Sequence, residues 1–278
     1  MSSGSTTFTL LDGTSIPWLA WGNGSGQAKK DAIECGKVAL EAGIRHIDTA
    51  QLYENEEQTG VRASVHESLD RLGTTPDCFL IHNPYVAPKG QLKAFWKVLE
   101  DLIDEGRLKS IGVSNFRPQD LEEILDGAKY KPVVNQIEFH PYTLAHLEPV
   151  LAIQAKHCIL TTSFGGLTPI LRHPTGGPLK PVLARVASRL AKTYNDESID
   201  SVVVLLLWLR AKNAVAVTAS GNNERIKGLA KVFVSEWELQ GDEVEEIDRV
   251  GKTIHFRYYS EHMQEDFPLP NLPSQYIP

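Results

Sequence analysis

The sequence predicts an α/β protein whose parallel strands close into one barrel of the TIM type, with a hairpin capping one end. Three observations predict it. Short apolar segments alternate with amphipathic helical ones through almost all of the 278 residues. The apolar segments are near-continuous, the pattern of strands covered on both faces. The competing open, doubly wound sheet would carry a GxGxxG turn after its first strand, and the nearest candidate, GNGSGQ at 22–27, does not match.

Taken in order, the opening TFTLLDGTSIPWL has Asp12-Gly13 at its centre and is expected to form the hairpin. Strands are expected over 45–49, 78–82, 110–114, 133–138, 158–163 and 214–218. Helices are expected between them over 31–42, 91–105, 119–125, 147–156, 181–193 and 224–232. The run VVVLLLWL at 202–209 is too short to span a bilayer and is expected to be a buried helix. Beyond Asp248 the chain enters HFRYYSEHMQEDFPLPNLPSQYIP, rich in aromatics and prolines: either a tail or a flap over a pocket. No Ser/Gly-rich linker or composition break divides the chain, so residues 1–278 are expected to form a single domain.

Composition narrows the function. With 42% hydrophobic and 23% charged residues the chain has material for a core and the make-up of a soluble globular protein. A net charge of −7 argues against nucleic acid or an anionic membrane as partner, since both favour a basic surface. Cys35, Cys78 and Cys158 are scattered without CxxC spacing, which fits a reducing compartment and excludes a cysteine-rich zinc site. The N-terminal MSSGSTTFTLLDG has no basic or apolar signal region, so a cytoplasmic location is expected.

Chemistry concentrates at predicted strand ends. In RHIDTAQLYENEEQ, residues 45–58, an apolar run ends in Asp48 and Tyr53 follows five residues later. Loops at the C-terminal ends of parallel strands are where barrels keep their chemistry. Singly, Asp48 could cap a helix, Tyr53 could pack on the rim, and His82 of IHNP (81–84) could be a satisfied buried histidine. Ser114 and Asn115 in KSIGVSNF (109–116), and Gln136, are equally at home as strand-terminating turn residues. The coincidence at successive strand ends favours a site. In VTASGNNERIKG (217–228), a helix N-terminus preceded by Ser, Gly and Asn offers backbone N–H groups to an anion, and Arg225 adds a fixed charge.

Together these segments resemble the aldo-keto reductase family over nearly the whole chain, EGRLKSIGVSNF most closely after the Asp48–Tyr53 stretch. The resemblance implies NADPH-dependent reduction of an aldehyde or ketone to an alcohol. It makes Tyr53 the proton donor, Asp48 its electrostatic support and His82 the group orienting the carbonyl oxygen. It assigns Ser114, Asn115 and Gln136 to the nicotinamide carboxamide, Phe164 to stacking on the nicotinamide ring, and Ser220 and Arg225 to the adenosine 2′-phosphate. Two departures weaken the NADP pattern: Ala219 stands for the usual Lys, and Gly228-Leu229 for a Glu-Asn pair. The resemblance further implies a small-molecule carbonyl substrate (a dicarbonyl, by likeness to fungal members), no metal and a monomer.

One stretch is missing. Where the family continues past the helix beginning ENEEQTG into a strand bearing its catalytic lysine, Gly60 runs directly into VRASVHESLDRLG. About thirty residues, one βα unit of an eight-unit barrel, are absent between Gly60 and Val61, and no lysine elsewhere replaces the lost one. A skipped exon would explain the gap. Val61, Val65, Leu69 and Leu72 form one stripe at helical spacing, so a fused helix could still pack on the sheet. The sheet could then close on seven strands, with altered tilt and shear, or stay open with two free edges. Impaired turnover follows from the lost cation. The alternative is a catalytically impaired NADP-binding pseudoenzyme with a regulatory or scaffolding role, against which the retention of Asp48, Tyr53 and His82 speaks. A product that never folds is the third possibility.

Overall fold

A computed structural model describes residues 6–24, 29–49, 56–259, 263 and 266–274, with the backbone alone at 56–59. The hairpin forms as expected. Strands β1 (Thr7–Thr9) and β2 (Ser15–Pro17) pair antiparallel with Phe8 opposite Ile16, and Gly13 takes the turn at φ +84°. Asp12 accepts hydrogen bonds from the backbone N–H and hydroxyl of Thr14, and from the hydroxyl of Ser110, which fastens the hairpin to the base of the sheet.

Seven parallel strands form that sheet: β3 (Leu19–Gly22), β4 (Ile47–Asp48), β5 (Cys78–Ile81), β6 (Ser110–Ser114), β7 (Val134–Glu138), β8 (Leu160–Phe164) and β9 (Ala214–Thr218). Their spatial order is β4-β3-β9-β8-β7-β6-β5, so every pair of adjacent strands is also consecutive in sequence except where β3 meets β9. Helices α1 (Ala32–Glu41), α2 (Glu56–Leu72), α3 (Leu92–Asp104), α4 (Pro118–Leu125) and α5 (Leu144–His157) connect successive strands. Three more, α6 (Thr168–Leu171), α7 (Leu179–Tyr194) and α8 (Ser201–Ala211), lie between β8 and β9, and α9 (Asn223–Val234) and α10 (Gly241–Gly251) follow. Helix α8 is buried at every position from Val203 to Leu209, as the uniformly apolar run requires. Among the described residues no helix is long and apolar enough to cross a membrane.

Among the described residues the sheet curls without closing. Among the described residues no ladder joins β4 to β5, and these two strands stand at the opposite ends of the strand order. The gap coincides with the junction at Gly60, where α2 breaks at a non-helical residue with φ +61°. Val65 and Leu69 of its second segment are buried and Val61 is half-buried, as the stripe predicted, whereas Leu72 at the helix end is exposed.

Strand β3 departs from expectation. The expected hairpin ended at Leu19 and no strand was expected over residues 20–22, yet Leu19–Gly22 is the first strand of the parallel sheet, paired with β4 and β9. A fully buried strand of four residues carries no alternation, and here it follows β2 with only Trp18 between. The main core lies between sheet and helices, while a smaller cluster (Leu10, Ile16, Val133, Val134, Leu160, Val215) fills the sheet's inner side above the hairpin. Gly112 admits this packing: a Cβ there would lie 2.6 Å from Leu80 Cδ2 and 2.7 Å from Val134 Cγ2. Gly112→Ala is therefore expected to cost about 1–3 kcal/mol through overpacking, read as a lower urea midpoint at an unchanged slope.

Candidate active site

The C-terminal ends of the strands carry the expected residues, and hydrogen bonds join five of them in one chain. Asp48 ends β4 and is half-buried; its Oδ2 accepts from Gln136 Nε2 at 3.0 Å, a reach across the curled sheet from β4 to β7. The Gln136 carbonyl accepts from Ser114 Oγ at 2.8 Å and from Asn115 N at 2.9 Å. Asn115 Nδ2 donates to Ser114 Oγ at 3.1 Å and to the His82 carbonyl at 3.1 Å. Asn115 holds φ +59°, a left-handed conformation that asparagine tolerates, which brings its amide back over the ends of β5 and β6. Ser114 and Asn115 are buried.

His82 joins that chain through its backbone carbonyl alone, and the remaining expected residues stand apart from it. His82 follows β5, is exposed, and lines a groove with Val61 and Val65 of α2. Phe164 ends β8 half-buried, its ring edge-on to Tyr259 at 5.5 Å. Ser220 is half-buried; its carbonyl accepts from Trp21 Nε1 at 3.0 Å and its hydroxyl from Asn222 N at 3.1 Å. Asn222 caps α9 through the Arg225 N–H at 3.0 Å, and the Arg225 side chain is exposed with no ion pair among the described residues. Tyr53 lies outside the described residues.

Reading by strand ends missed a buried network beside these groups. Glu138, the last residue of β7, is fully buried and paired in register with Phe164. It accepts from His140 Nε2 at 3.2 Å and from the backbone N–H groups of Tyr258 and Tyr259 at 2.9 and 3.0 Å, with Arg257 Nη1 at 3.6 Å. Burial pushes the Glu138 carboxyl up, but His140, Arg257 and the Tyr258 N–H outweigh it and hold it below the ordinary value. The described residues of the tail thus pack against the sheet's rim, with Phe256, Met263 and Phe267 buried. The available signal was an acid two residues beyond Gln136 at the end of an apolar strand.

The same network is expected to make the fold acid-sensitive. His146 is buried on α5, its Nε2–H donating to the Phe267 carbonyl at 3.2 Å. The His255 ring stands 5.2 Å from it. Burial, reinforced by Arg257, pushes His146 down to about 4, and burial with His146 and Arg257 does the same to His255. Both folded values lie below the ordinary ~6.5, so the unfolded chain binds more protons and stability falls as pH drops from ~6.5 towards about 4. The melting temperature is expected to fall across that window with an uptake of roughly two protons. His146→Asn should flatten the slope.

Comparison with known proteins agrees with this architecture. The model of the "Aldo/keto reductase family" matches residues 57–252. An NAD/NADP-dependent indole-3-acetaldehyde reductase of Schizosaccharomyces pombe is 30% identical over 288 aligned positions, covering 91% of this chain and 98% of the relative. Since 91% of 278 residues is about 253, about 35 of those positions face no residue of this chain. Human aldo-keto reductase family 1 member C1 is 31% identical, covering 89% and 92%. A crystal structure of an aldo/keto reductase from Brucella melitensis superposes with a TM-score of 0.71 at 29% identity, covering 88% of this chain and 98% of that one.

Proposed function

Because the chain belongs to the aldo/keto reductase family, we propose that it is an oxidoreductase that reduces a small aldehyde or ketone, a dicarbonyl among the candidates, with NADPH. The observation that carries this reading is the bonded chain Asp48–Gln136–Ser114–Asn115–His82, which gathers polar groups from four strands at one end of the sheet.

The residues fit the cofactor at both ends. Helix α9 has twelve residues, and its first N–H groups together with the unpaired Arg225 side chain suit a phosphate; Ser220 lies at the same turn. Ser114, Asn115 and Gln136 supply amide and hydroxyl groups for a carboxamide, and Phe164 an aromatic face beside them. NADPH, when bound, supplies the hydride. Tyr53 gives its hydroxyl proton to the carbonyl oxygen as negative charge develops there, and His82 orients that oxygen. Asp48, fixed by the Gln136 amide, supplies the charge against which the tyrosine is set.

Arg225→Ala is expected to weaken NADPH roughly tenfold, the loss of one charge-assisted phosphate contact, and to leave NADH within about twofold. Cofactor titration by quenching of protein fluorescence reads both. The activity reading is tested by NADPH consumption with a panel of aldehydes and dicarbonyls, set against Tyr53→Phe. Consumption that survives Tyr53→Phe undiminished overturns the role of Tyr53.

A specific observation also supports impaired turnover and keeps the NADP-binding pseudoenzyme as a second reading. Among the described residues no ladder joins β4 to β5, and no strand end that builds the site carries a lysine. Tight NADPH binding without consumption of any carbonyl would favour it.

A further inference from the structure

We propose that Trp21 is a positioning residue for the cofactor: its indole N–H, held in the core by β3, fixes the turn at Ser220 from which the 2′-phosphate of NADPH is met. This role rests on the reading of Ser220 and Arg225 as the phosphate end of the site. It adds a residue from the first strand of the sheet that acts through the backbone of that turn.

The indole ring is fixed from several sides. Trp21 is 1% exposed, and in the ladder it lies in register with Ile47 of β4 and Thr218 of β9. Its six-membered ring lies against Gly36 of α1, where a Cβ would stand 3.5 Å from Trp21 Cζ3. An indole nitrogen can only donate, and a buried one needs an acceptor. Here the acceptor is the Ser220 carbonyl at 3.0 Å.

The turn depends on that bond for its place. Strand β9 ends at Thr218, the last residue in register with β3, and α9 begins at Asn223. Between them Ser220 Oγ accepts from Asn222 N at 3.1 Å, and Asn222 Oδ1 accepts from Arg225 N at 3.0 Å. The Asn222 carbonyl accepts from Ile226 N at 3.0 Å. These bonds stay inside residues 220–226, so they shape the turn without setting where it stands on the sheet. Among the described residues the Trp21 N–H is the one hydrogen bond that ties Ser220 or Asn222 to another strand. Groups already held in their bound arrangement lose less freedom on binding. NADH has no phosphate at this position, so the same bond should matter little for it.

The test replaces Trp21 in the full chain by phenylalanine (Trp21→Phe) and, separately, by 3-benzothienylalanine, which keeps the size of the indole and has sulfur in place of the N–H. NADPH and NADH are titrated by calorimetry, with a melt for each variant. Both variants are expected to weaken NADPH about three- to tenfold, the range that one neutral hydrogen bond is worth, and to leave NADH within about twofold. Should Trp21→Phe melt early, the benzothienyl variant carries the test. In an Arg225→Ala background the further loss should shrink to about twofold or less, because both changes spoil the same contact. A benzothienyl variant that binds NADPH as tightly as wild type overturns the role, since the N–H would then serve only its own burial. Equal weakening of NADPH and NADH overturns it as well, as a general effect of packing. Arg225→Ala by itself tells the two failures apart. Where it discriminates between the cofactors and the benzothienyl variant does not, positioning by Trp21 falls alone. Where neither discriminates, the phosphate reading falls and positioning by Trp21 falls with it.

Discussion

Inserting a lysine-bearing βα unit between Gly60 and Val61 is expected to raise kcat by ~10²–10⁴-fold, the usual contribution of general acid–base catalysis. A tyrosine hydroxyl with an ordinary pKa near ~10 is a poor proton donor until a neighbouring cation eases its ionisation. Among the described residues the ladder is interrupted between β4 and β5, on the edge that bears Asp48, and α2 breaks at Gly60. The inserted strand would close the sheet and place its cation beside that carboxylate. Affinity for NADPH should change little, because Ser114, Asn115, Gln136, Phe164, Ser220 and Arg225 come from β6 onward. Steady-state rates with one fixed aldehyde, together with cofactor titration, separate the outcomes. Unchanged kcat with intact NADPH binding and a cooperative melt would mean that the lysine is not what limits this chain.

Glu138→Ala is expected to be the most destabilising single change, at about 3–5 kcal/mol, the cost of stranding a buried charge by removing its partner. Arg257 is almost wholly buried and Glu138 is its only ionic partner among the described residues. The same carboxylate holds the Tyr258 and Tyr259 N–H groups, so its loss frees the segment that carries Phe256 and Phe267 onto the core. At ~2–4 °C per kcal/mol for a domain of this size, the melting temperature should fall by roughly 10 °C. Hydrogen exchange should show protection lost first over 255–259. Glu138→Ala with Arg257→Leu should recover part of the loss, because the double change leaves no unpaired charge. A Glu138→Ala melt within about 1 kcal/mol of wild type would show that the pair is not what anchors the tail.

Most helices and strand ends were legible because their signals are local. Alternation of apolar and amphipathic segments located six of the seven sheet strands to within two residues at either end, and Asp48 and Asn115 could be placed at strand ends from their sequence neighbours alone, whereas Gln136 lies mid-strand in β7. Strand β3 was not, because four buried residues abutting a hairpin carry no period of their own. Glu138 escaped notice because its partners in the tail are some 120 residues away, and the groove that the His82 side chain lines beside α2 was not legible in the sequence, since it is built from separate elements.

The sequence by itself determined the family, the parallel βα alternation, the missing unit and its position. Whether seven strands could close was left to the tertiary structure, since closure depends on tilt and shear summed around the whole sheet rather than on any one segment. Among the described residues it joins β4 and β5 by no ladder, gathers Asp48, Gln136, Ser114, Asn115 and the His82 carbonyl into one bonded chain, and ties the tail to β7 through Glu138. Those arrangements rest on contacts between residues far apart in sequence, and such contacts come into being only when the sheet curls.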